Sequence, residues 1–143
     1  FYNHDDGAYS TLRLLSYLAK TNQSLYEAID SLPKYISSPE IKLFCADEKK
    51  VELMAEISSV LKKTFPDAEV ISDERVGDGV RLNLSDGMFV IRYSQNGPYL
   101  TIKFEAKTED RYNFLKDYIK KLLHNYEEVD WNSKINVNAD SLN

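Results

Sequence analysis

The sequence is short of several features that would point quickly to a function. It has one cysteine, Cys45, so an internal disulfide is excluded. This cysteine lies in the apolar run "IKLFCA", where a buried core thiol is expected rather than a nucleophile, and a reducing cytoplasm fits best. No apolar run approaches the roughly 20 residues that a transmembrane helix needs, and no charged-then-apolar leader opens the chain. We therefore expect a cytoplasmic protein that is neither secreted nor inserted in a membrane.

The sequence also has fewer basic than acidic residues. The 143 residues include 18 Lys and Arg against 23 Asp and Glu, a net charge of −5. This balance gives no general electrostatic attraction to a nucleic-acid backbone or to an anionic membrane. The two histidines, His4 and His124, have no cysteine or serine at the spacing of a metal site or a catalytic triad. We interpret both as surface residues.

The beginning of the sequence predicts two helices and a linker. The stretch "AYSTLRLLSYLAK" (8–20) has its apolar residues on one stripe, and the preceding "HDDG" brings acidic residues to the positive end of that helix. Ser24 and Glu27 match a capping box that opens a second, short helix, which Pro33 ends. The next segment, "LPKYISSPE", contains two prolines and is typical of a linker. We assign residues 1–37 to this helical segment with its linker.

Residues 38–126 predict one α+β domain. The strand "EIKLFCA" is followed by a helix that Asp47 is placed to cap. The residues predicted to face inward from that helix are Val51, Met54, Ile57 and Leu61. Four more strands follow, "AEVISDERV", "GVRLNL", "MFVIRYS" and "YLTIKFEA", and Thr108 opens a last helix. From Ile41 the order is β-α-β-β-β-β-α, which predicts an antiparallel sheet with helices on one face.

Two further expectations concern a turn and the end of the chain. Asp86-Gly87 is a strong signal for a two-residue hairpin turn in which both central positions have positive φ. The last segment, 127–143, has no sustained periodicity and is rich in Asn and Asp. We predict an irregular, loosely held tail, with Trp131 as a candidate for docking on the domain.

The segment "RYSQNGP" (92–98), between the last two strands, is rich in hydrogen-bonding groups. Arg92 offers a planar fork of donors for two oxygens of a phosphate or carboxylate, and Gly97 is expected to let successive N–H groups form an anion nest. No acidic residue occurs from Arg92 through Leu100. The predicted phosphate-binding residues are Arg92, Ser94, Gln95 and Asn96. The alternative is an ordinary turn, since Ser, Asn, Gly and Pro are all common turn formers.

Read together, residues 78–106, "DGVRLNLSDGMFVIRYSQNGPYLTIKFEA", resemble the C-terminal domain of the α-D-phosphohexomutases, specifically the phosphomannomutase/phosphoglucomutase group. Members of that family carry a phosphate-binding loop of the form Arg, any, Ser, Asn or Gly, Thr, Glu, Pro. An Asp-Gly precedes the loop, and a strand ending Arg-Phe-Glu-Ala follows it. Arg92, Ser94 and Pro98 match, as do 86–87 and 104–106. The sequence departs from the family pattern at Gln95, Asn96, Gly97 and Lys103.

The resemblance covers residues 1–123, with the first helices as the end of the family's third domain. It implies a TATA-binding-protein-like fold for the sheet domain. It also implies a parent enzyme that interconverts hexose 1-phosphate and 6-phosphate, of mannose or glucose, through a phosphoserine and a bisphosphate intermediate. In such an enzyme the loop holds the nonreacting phosphate. Arg92 and Ser94 would be its main contacts, and Lys103 a further charge.

Three family motifs have no counterpart in the sequence: the phosphoserine motif, the aspartate-rich Mg²⁺ loop and the Gly-Glu-X-Ser-Gly sugar-reading loop. The acidic pairs Asp5-Asp6 and Asp73-Glu74 are interpreted as solvation of a helix start and a strand end rather than as metal ligands. Mg²⁺ would therefore be bound by a domain absent from this chain. The chain begins at Phe1 within structured-looking sequence, and we expect it to be an inactive piece of a longer enzyme.

Two other hypotheses stay open at this point. A stand-alone α+β module could bind a protein or a nucleic acid through the open face of its sheet, although the acidic charge argues against nucleic acid. Residues 1–32 could also form an amphipathic hairpin whose exposed apolar face leads the truncated chain to self-associate.

Overall fold

The computed structural model describes residues 6–73 and 77–142. His4, Asp5 and Glu74, whose roles were predicted above, lie outside the described residues. The chain forms two compact units, Phe1–Lys34 and Tyr35–Asn143. The assignment of these parts to separate domains of a longer protein stays a prediction.

The first unit contains two helices, α1 (Gly7–Thr21) and α2 (Leu25–Asp30). The Asp6 carboxylate caps α1 by accepting a hydrogen bond from the Tyr9 N–H at 2.9 Å. The predicted capping box of α2 is confirmed: the Ser24 N–H donates to Glu27 Oε2 at 2.8 Å, and Ser24 Oγ accepts from the Glu27 N–H at 3.2 Å. Neither helix buries a residue.

The second unit is an antiparallel sheet with two helices packed on one face. Its strands are β1 (Ile36–Ser37), β2 (Ile41–Cys45), β3 (Glu69–Ser72), β4 (Gly79–Leu84), β5 (Gly87–Tyr93), β6 (Tyr99–Ala106) and β7 (Val129–Asp130). Its helices are α3 (Lys50–Thr64), α4 (Glu109–Leu123) and a short 3-10 helix, Ala139–Leu142. The strand order is β3-β4-β5-β6-β2-β7, and β1 also pairs with β6. The predicted order β-α-β-β-β-β-α, which runs from β2 to α4, is confirmed.

Alternation along the strands separates a core face from an open face. On β6 the predicted inward residues are all fully buried: Leu100, Ile102, Phe104 and Ala106. Helix α3 contacts β4 and β5, and α4 contacts β6, so both helices cover this same face. Cys45 is fully buried as predicted, and burial raises the pKa of its thiol to about 11. At neutral pH the thiol is therefore protonated and is not a nucleophile.

Helix α3 buries a stripe that differs from the prediction at its start. Met54, Ile57 and Leu61 are buried as expected, but Val51 is 58% exposed and Leu53 is buried in its place. The buried stripe begins at Lys50, and Val51 lies about 100° further round the helix. The predicted position of Val51 was therefore wrong.

The hairpin between β4 and β5 is present, but its turn lies one residue earlier than predicted. Leu84 pairs with Gly87, so Ser85 and Asp86 are the two turn residues, and among the described residues only Asn22 and Asn138 have positive φ. Gly87 is needed for another reason. A Cβ at this position would lie 2.4 Å from the Glu105 carbonyl oxygen on β6.

The predicted linker is partly a strand. Ile36 and Ser37 pair with Ala106 and Glu105 at the end of β6, on the side where β2 pairs further along. Ser38 is buried; its N–H donates to the Phe104 carbonyl at 2.9 Å, and its Oγ accepts from the Phe104 N–H at 3.0 Å. Just before Pro39, the Ser38 hydroxyl thus accepts the hydrogen bond that a strand carbonyl would otherwise accept. The strand was not predicted because prolines usually indicate a linker.

The tail is also more ordered than the sequence indicated, and the prediction of a loose segment is corrected here. Strand β7 pairs with β2 at the edge of the sheet, and the Phe44 N–H donates to Asn136 Oδ1 at 2.8 Å. Leu142 is fully buried, and Trp131 packs against the core. The Asn136 side-chain amide supplies a hydrogen bond at this edge in place of a strand backbone. The segment therefore shows no alternation of apolar residues from which its order could be predicted.

Candidate anion-binding site at the end of the sheet

Residues 94–98 join β5 to β6 and are held by hydrogen bonds of their own. The Ser94 N–H donates to the Tyr99 carbonyl at 2.9 Å, and the Tyr99 N–H donates to the Gly97 carbonyl at 2.9 Å. The Asn96 N–H donates to Ser94 Oγ at 3.1 Å. The Ser94 hydroxyl accepts this bond and keeps its own hydrogen for another acceptor.

A cavity of about 250 Å³ opens beside this loop. All four residues predicted from the sequence line it: Arg92, Ser94, Gln95 and Asn96. Six further residues line it as well: Glu40, Lys42, Asp78, Tyr93, Tyr99 and Thr101. The fold therefore adds charged and hydroxyl groups from β2, β6 and the residue before β4 to a site that the sequence located on one loop.

The register of the sheet places three polar side chains in one row. Arg92 on β5 pairs with Thr101 on β6, and Thr101 pairs in turn with Lys42 on β2. Their neighbours Ile91, Ile102 and Ile41 are fully buried on the helix side, so this row lies on the open face. The Lys42 ammonium lies 5.0 Å from the centroid of the Tyr99 ring. A cation, a hydroxyl and a second cation thus follow one another across three strands.

Arg92 is exposed, and its guanidinium makes no hydrogen bond or ion pair within the described part of the chain. An arginine held by a structural carboxylate would have its donors occupied. Here the planar fork is free to bind two oxygens of a ligand.

Two carboxylates also line the cavity, and neither was predicted from the sequence. Glu40 lies 3.4 Å from the Lys42 ammonium. Asp78 precedes Gly79, the partner of Arg92 across β4 and β5. The loop itself has no acidic residue, as noted, but the cavity balances two cations with two acids. Both acids are distant in sequence, so only the strand pairing brings them here.

Gly97 does not have the role that its sequence position predicts. No residue of the loop has positive φ, so the predicted anion nest is not formed. Instead, a Cβ on Gly97 would lie 2.6 Å from Tyr99 Cε1, so glycine makes room for the Tyr99 ring. Among the described residues, no acceptor binds the N–H groups of Gln95 and Gly97. These two amides are donors available to a ligand.

A buried lysine lies beneath the loop. The Lys50 ammonium donates to Asp47 Oδ1 at 2.6 Å, to the Ser94 carbonyl at 2.5 Å and to the Gly97 carbonyl at 3.3 Å. Asp47 therefore pairs with Lys50 and does not cap α3, which begins at Lys50 without a side-chain cap. The prediction of an Asp47 cap was wrong, and the role of Lys50 was not anticipated.

Lys103, considered as a further phosphate contact, is directed elsewhere. Its ammonium donates to the Ser38 carbonyl at 2.8 Å and lies 4.0 Å from Glu105. It does not line the cavity.

The acidic residues and histidine considered as metal ligands have other roles where they are described. Asp6 caps α1, and Asp73 is 1% exposed and lies 3.2 Å from the Lys62 ammonium, so it is not a solvated strand end as predicted. His124 is exposed, and its ring stacks on Trp131 with centroids 4.1 Å apart. Within residues 6–73 and 77–142, no three His, Cys, Asp or Glu side chains are placed to hold a metal ion.

None of the helices described has the length and apolar character needed to cross a bilayer.

Comparison with known proteins gives a consistent set of relatives. No protein-family model matches the chain. The sequence is 37% identical over 119 residues to a phosphoglucosamine mutase of Methanocaldococcus jannaschii, covering 80% of this chain and 25% of the relative. It is 32% identical over 120 residues to a phosphomannomutase/phosphoglucomutase of Pseudomonas putida, covering 84% of this chain and 25% of that protein. The chain thus spans about a quarter of the length of these curated relatives.

A solved structure gives the same result. A phosphoglucomutase/phosphomannomutase family protein of Burkholderia thailandensis matches 87% of this chain and 25% of its own, with a TM-score of 0.63 and 27% sequence identity. Sequence and fold therefore agree on the same group of proteins.

Proposed function

We propose that this chain, which belongs to the α-D-phosphohexomutase family, is the C-terminal part of such an enzyme and holds the substrate phosphate that is not being transferred. The parent enzyme would interconvert hexose 1-phosphate and hexose 6-phosphate through a phosphoserine and a bisphosphate intermediate. The relatives' names include glucosamine, mannose and glucose, so the substrate class is a hexose phosphate. A cytoplasmic location completes this proposal.

The observation that carries the proposal is the Arg92 guanidinium, which no described residue binds. It lies in a row with Thr101 and Lys42, beside Ser94 and its neighbouring amides. A phosphate dianion needs several donors at once, and each charge-assisted hydrogen bond contributes about 1.5–3 kcal/mol. The cavity, about 250 Å³, is below the roughly 300 Å³ at which drug-sized pockets begin. It suits a phosphate group whose sugar extends outward.

In this role the chain contributes positioning. Fixing one phosphate sets the distance at which the opposite end of the sugar meets the reacting group, and such orientation supplies much of the rate in phosphoryl transfer. The bisphosphate must also turn over between half-reactions, so the grip has to be reversible. Glu40 and Asp78 line the same cavity, and their negative charges offset those of Arg92 and Lys42.

We expect no mutase activity from this chain alone. The phosphoserine would lie in another part of the parent. By the family resemblance, Mg²⁺ would also be bound there.

An NMR titration of the ¹⁵N-labelled chain tests the proposal. Glucose 6-phosphate or mannose 6-phosphate should shift the amide signals of residues 94–97, and glucose at the same concentration should not. The same titration with a single-stranded oligonucleotide tests the alternative of a stand-alone module that binds nucleic acid. Loop signals that stay unmoved at tens of millimolar sugar phosphate would contradict the proposal.

Self-association of the chain is also expected, because Leu12, Leu15 and Tyr26 on α1 and α2 are 66%, 56% and 76% exposed. Sedimentation equilibrium should give a mass that rises with concentration, and Leu15→Lys should reduce the rise. Lys20→Glu, a charge change on the same helix, is the control. A monomer mass at every concentration would contradict this expectation.

A further inference from the structure

Lys50 is the first residue of α3, and it is 8% exposed although it carries a charge. An ammonium group has three hydrogens, and the three acceptors around Lys50 match that number: Asp47 Oδ1 and the carbonyls of Ser94 and Gly97. Two of these acceptors belong to the loop that forms the candidate site. The ammonium also lies 5.7 Å from the centroid of the Tyr93 ring. A buried cation is thus satisfied mainly by the backbone of the loop.

This arrangement fixes the direction of one peptide group. A trans peptide is planar, so the carbonyl of residue 94 and the N–H of residue 95 point in opposite directions. Because the Ser94 carbonyl is turned inward to Lys50 at 2.5 Å, the Gln95 N–H is directed away from α3. Gln95 lines the cavity, and its N–H has no acceptor within the described residues.

The contact of Lys50 with the Gly97 carbonyl directs no N–H group outward. Gly97 precedes Pro98, which has no N–H, so turning the Gly97 carbonyl inward leaves no amide hydrogen on the opposite side of that peptide. The same carbonyl also accepts from the Tyr99 N–H at 2.9 Å. The two contacts therefore have different consequences: one directs a donor outward, and the other closes the base of the loop.

We propose that Lys50 is a positioning residue of the phosphate site, whose buried ammonium turns the Ser94 carbonyl inward and so directs the Gln95 amide to the bound phosphate. The inference rests on the proposed function. A carbonyl that accepts a charge-assisted bond also polarises its peptide group, which makes the Gln95 N–H a stronger donor. The positive charge beneath the loop adds a favourable field for an anion above it.

The test compares Lys50→Met with Lys49→Met in the 143-residue chain. Lys49 precedes Lys50 and is exposed, so its substitution removes the same charge without touching the loop. By NMR titration with inorganic phosphate, Lys50→Met should bind about tenfold more weakly, as expected for one charge-assisted bond. The phosphate-induced shift of the Gln95 amide should also be lost. Lys50→Arg should restore part of the affinity, and Lys49→Met should bind like the unsubstituted chain.

The outcomes separate this inference from the proposed function. Absence of phosphate binding by the unsubstituted chain would contradict both. Normal binding with an unchanged Gln95 shift in folded Lys50→Met would overturn only the role of Lys50. If Lys50→Met does not fold, a measurement on the unsubstituted chain still tests the role of Lys50. Lys50 Nζ donates to the Ser94 carbonyl oxygen, so NMR should detect a scalar coupling across this hydrogen bond between Nζ and the Ser94 carbonyl carbon. Observing this coupling supports the inference, and its absence in the ordered loop overturns it.

Discussion

An arginine lies near each end of β5, and the two are used differently. At the β4–β5 turn, Arg111 donates from Nε to Asp86 Oδ1 at 3.0 Å, and its guanidinium lies 4.7 Å from the centroid of the Phe114 ring. At the other end, Arg92 has no such partner among the residues described, although Asp78 and Glu40 line the same cavity. The first arginine closes a turn against α4. The second is left with open donors, which is the arrangement that a ligand site requires.

The turns at the two ends differ in the same way. At the closed end the Lys107 ammonium donates to the Ser85 carbonyl at 2.8 Å, and the Lys107 N–H donates to the Asp86 carbonyl at 2.9 Å. At the open end the inward carbonyls bind Lys50, while the N–H groups of Gln95 and Gly97 have no acceptor among the residues that the structure describes. Comparing residue types alone would not separate these two ends, because both contain serine, glycine and a basic residue.

The largest expected effect comes from a matched pair of glycine substitutions. Gly87→Ala places a Cβ 2.4 Å from a backbone oxygen, whereas Gly97→Ala meets the Tyr99 ring, which can move. We expect the free energy of unfolding to fall by about 3 kcal/mol for Gly87→Ala and by about 1 kcal/mol for Gly97→Ala. Urea unfolding followed by circular dichroism measures both. Equal losses would mean that the two ends are packed alike.

A smaller effect is expected from the acids of the cavity. Asp78→Asn and Glu40→Gln each remove a negative charge beside the proposed phosphate position. Phosphate affinity should rise by about 0.2–1 kcal/mol, up to roughly fivefold, and the gain should shrink as salt is added. Asp67→Asn, an exposed acid outside this cavity, is the control and should leave the affinity unchanged. Weaker binding in Asp78→Asn would show that the carboxylate supports the site and does not offset its charge.

The sequence predicted the parts of this molecule that depend on local order. The alternation of "YLTIKFEA", the capping box at Ser24 and the connection between β5 and β6 all follow from neighbouring residues. Lys42, Thr101, Glu40 and Asp78 could not be found in this way, because they reach the site only through strand register. Neither could Lys50, since a lysine at the start of a helix usually faces solvent. The edge strand β7 was missed because Asn136 supplies hydrogen bonds in place of apolar alternation.

The most direct test of the central claim is the phosphate affinity of Arg92→Ala compared with that of Arg111→Ala, measured by NMR titration with glucose 6-phosphate. Both variants lose one arginine near an end of β5, so they share their change in charge. Arg92→Ala should weaken binding by about 10- to 100-fold, corresponding to about 1.5–3 kcal/mol, and Arg111→Ala should leave it unchanged. Equal affinities in the two variants would contradict the assignment of the open end of the sheet as the phosphate site.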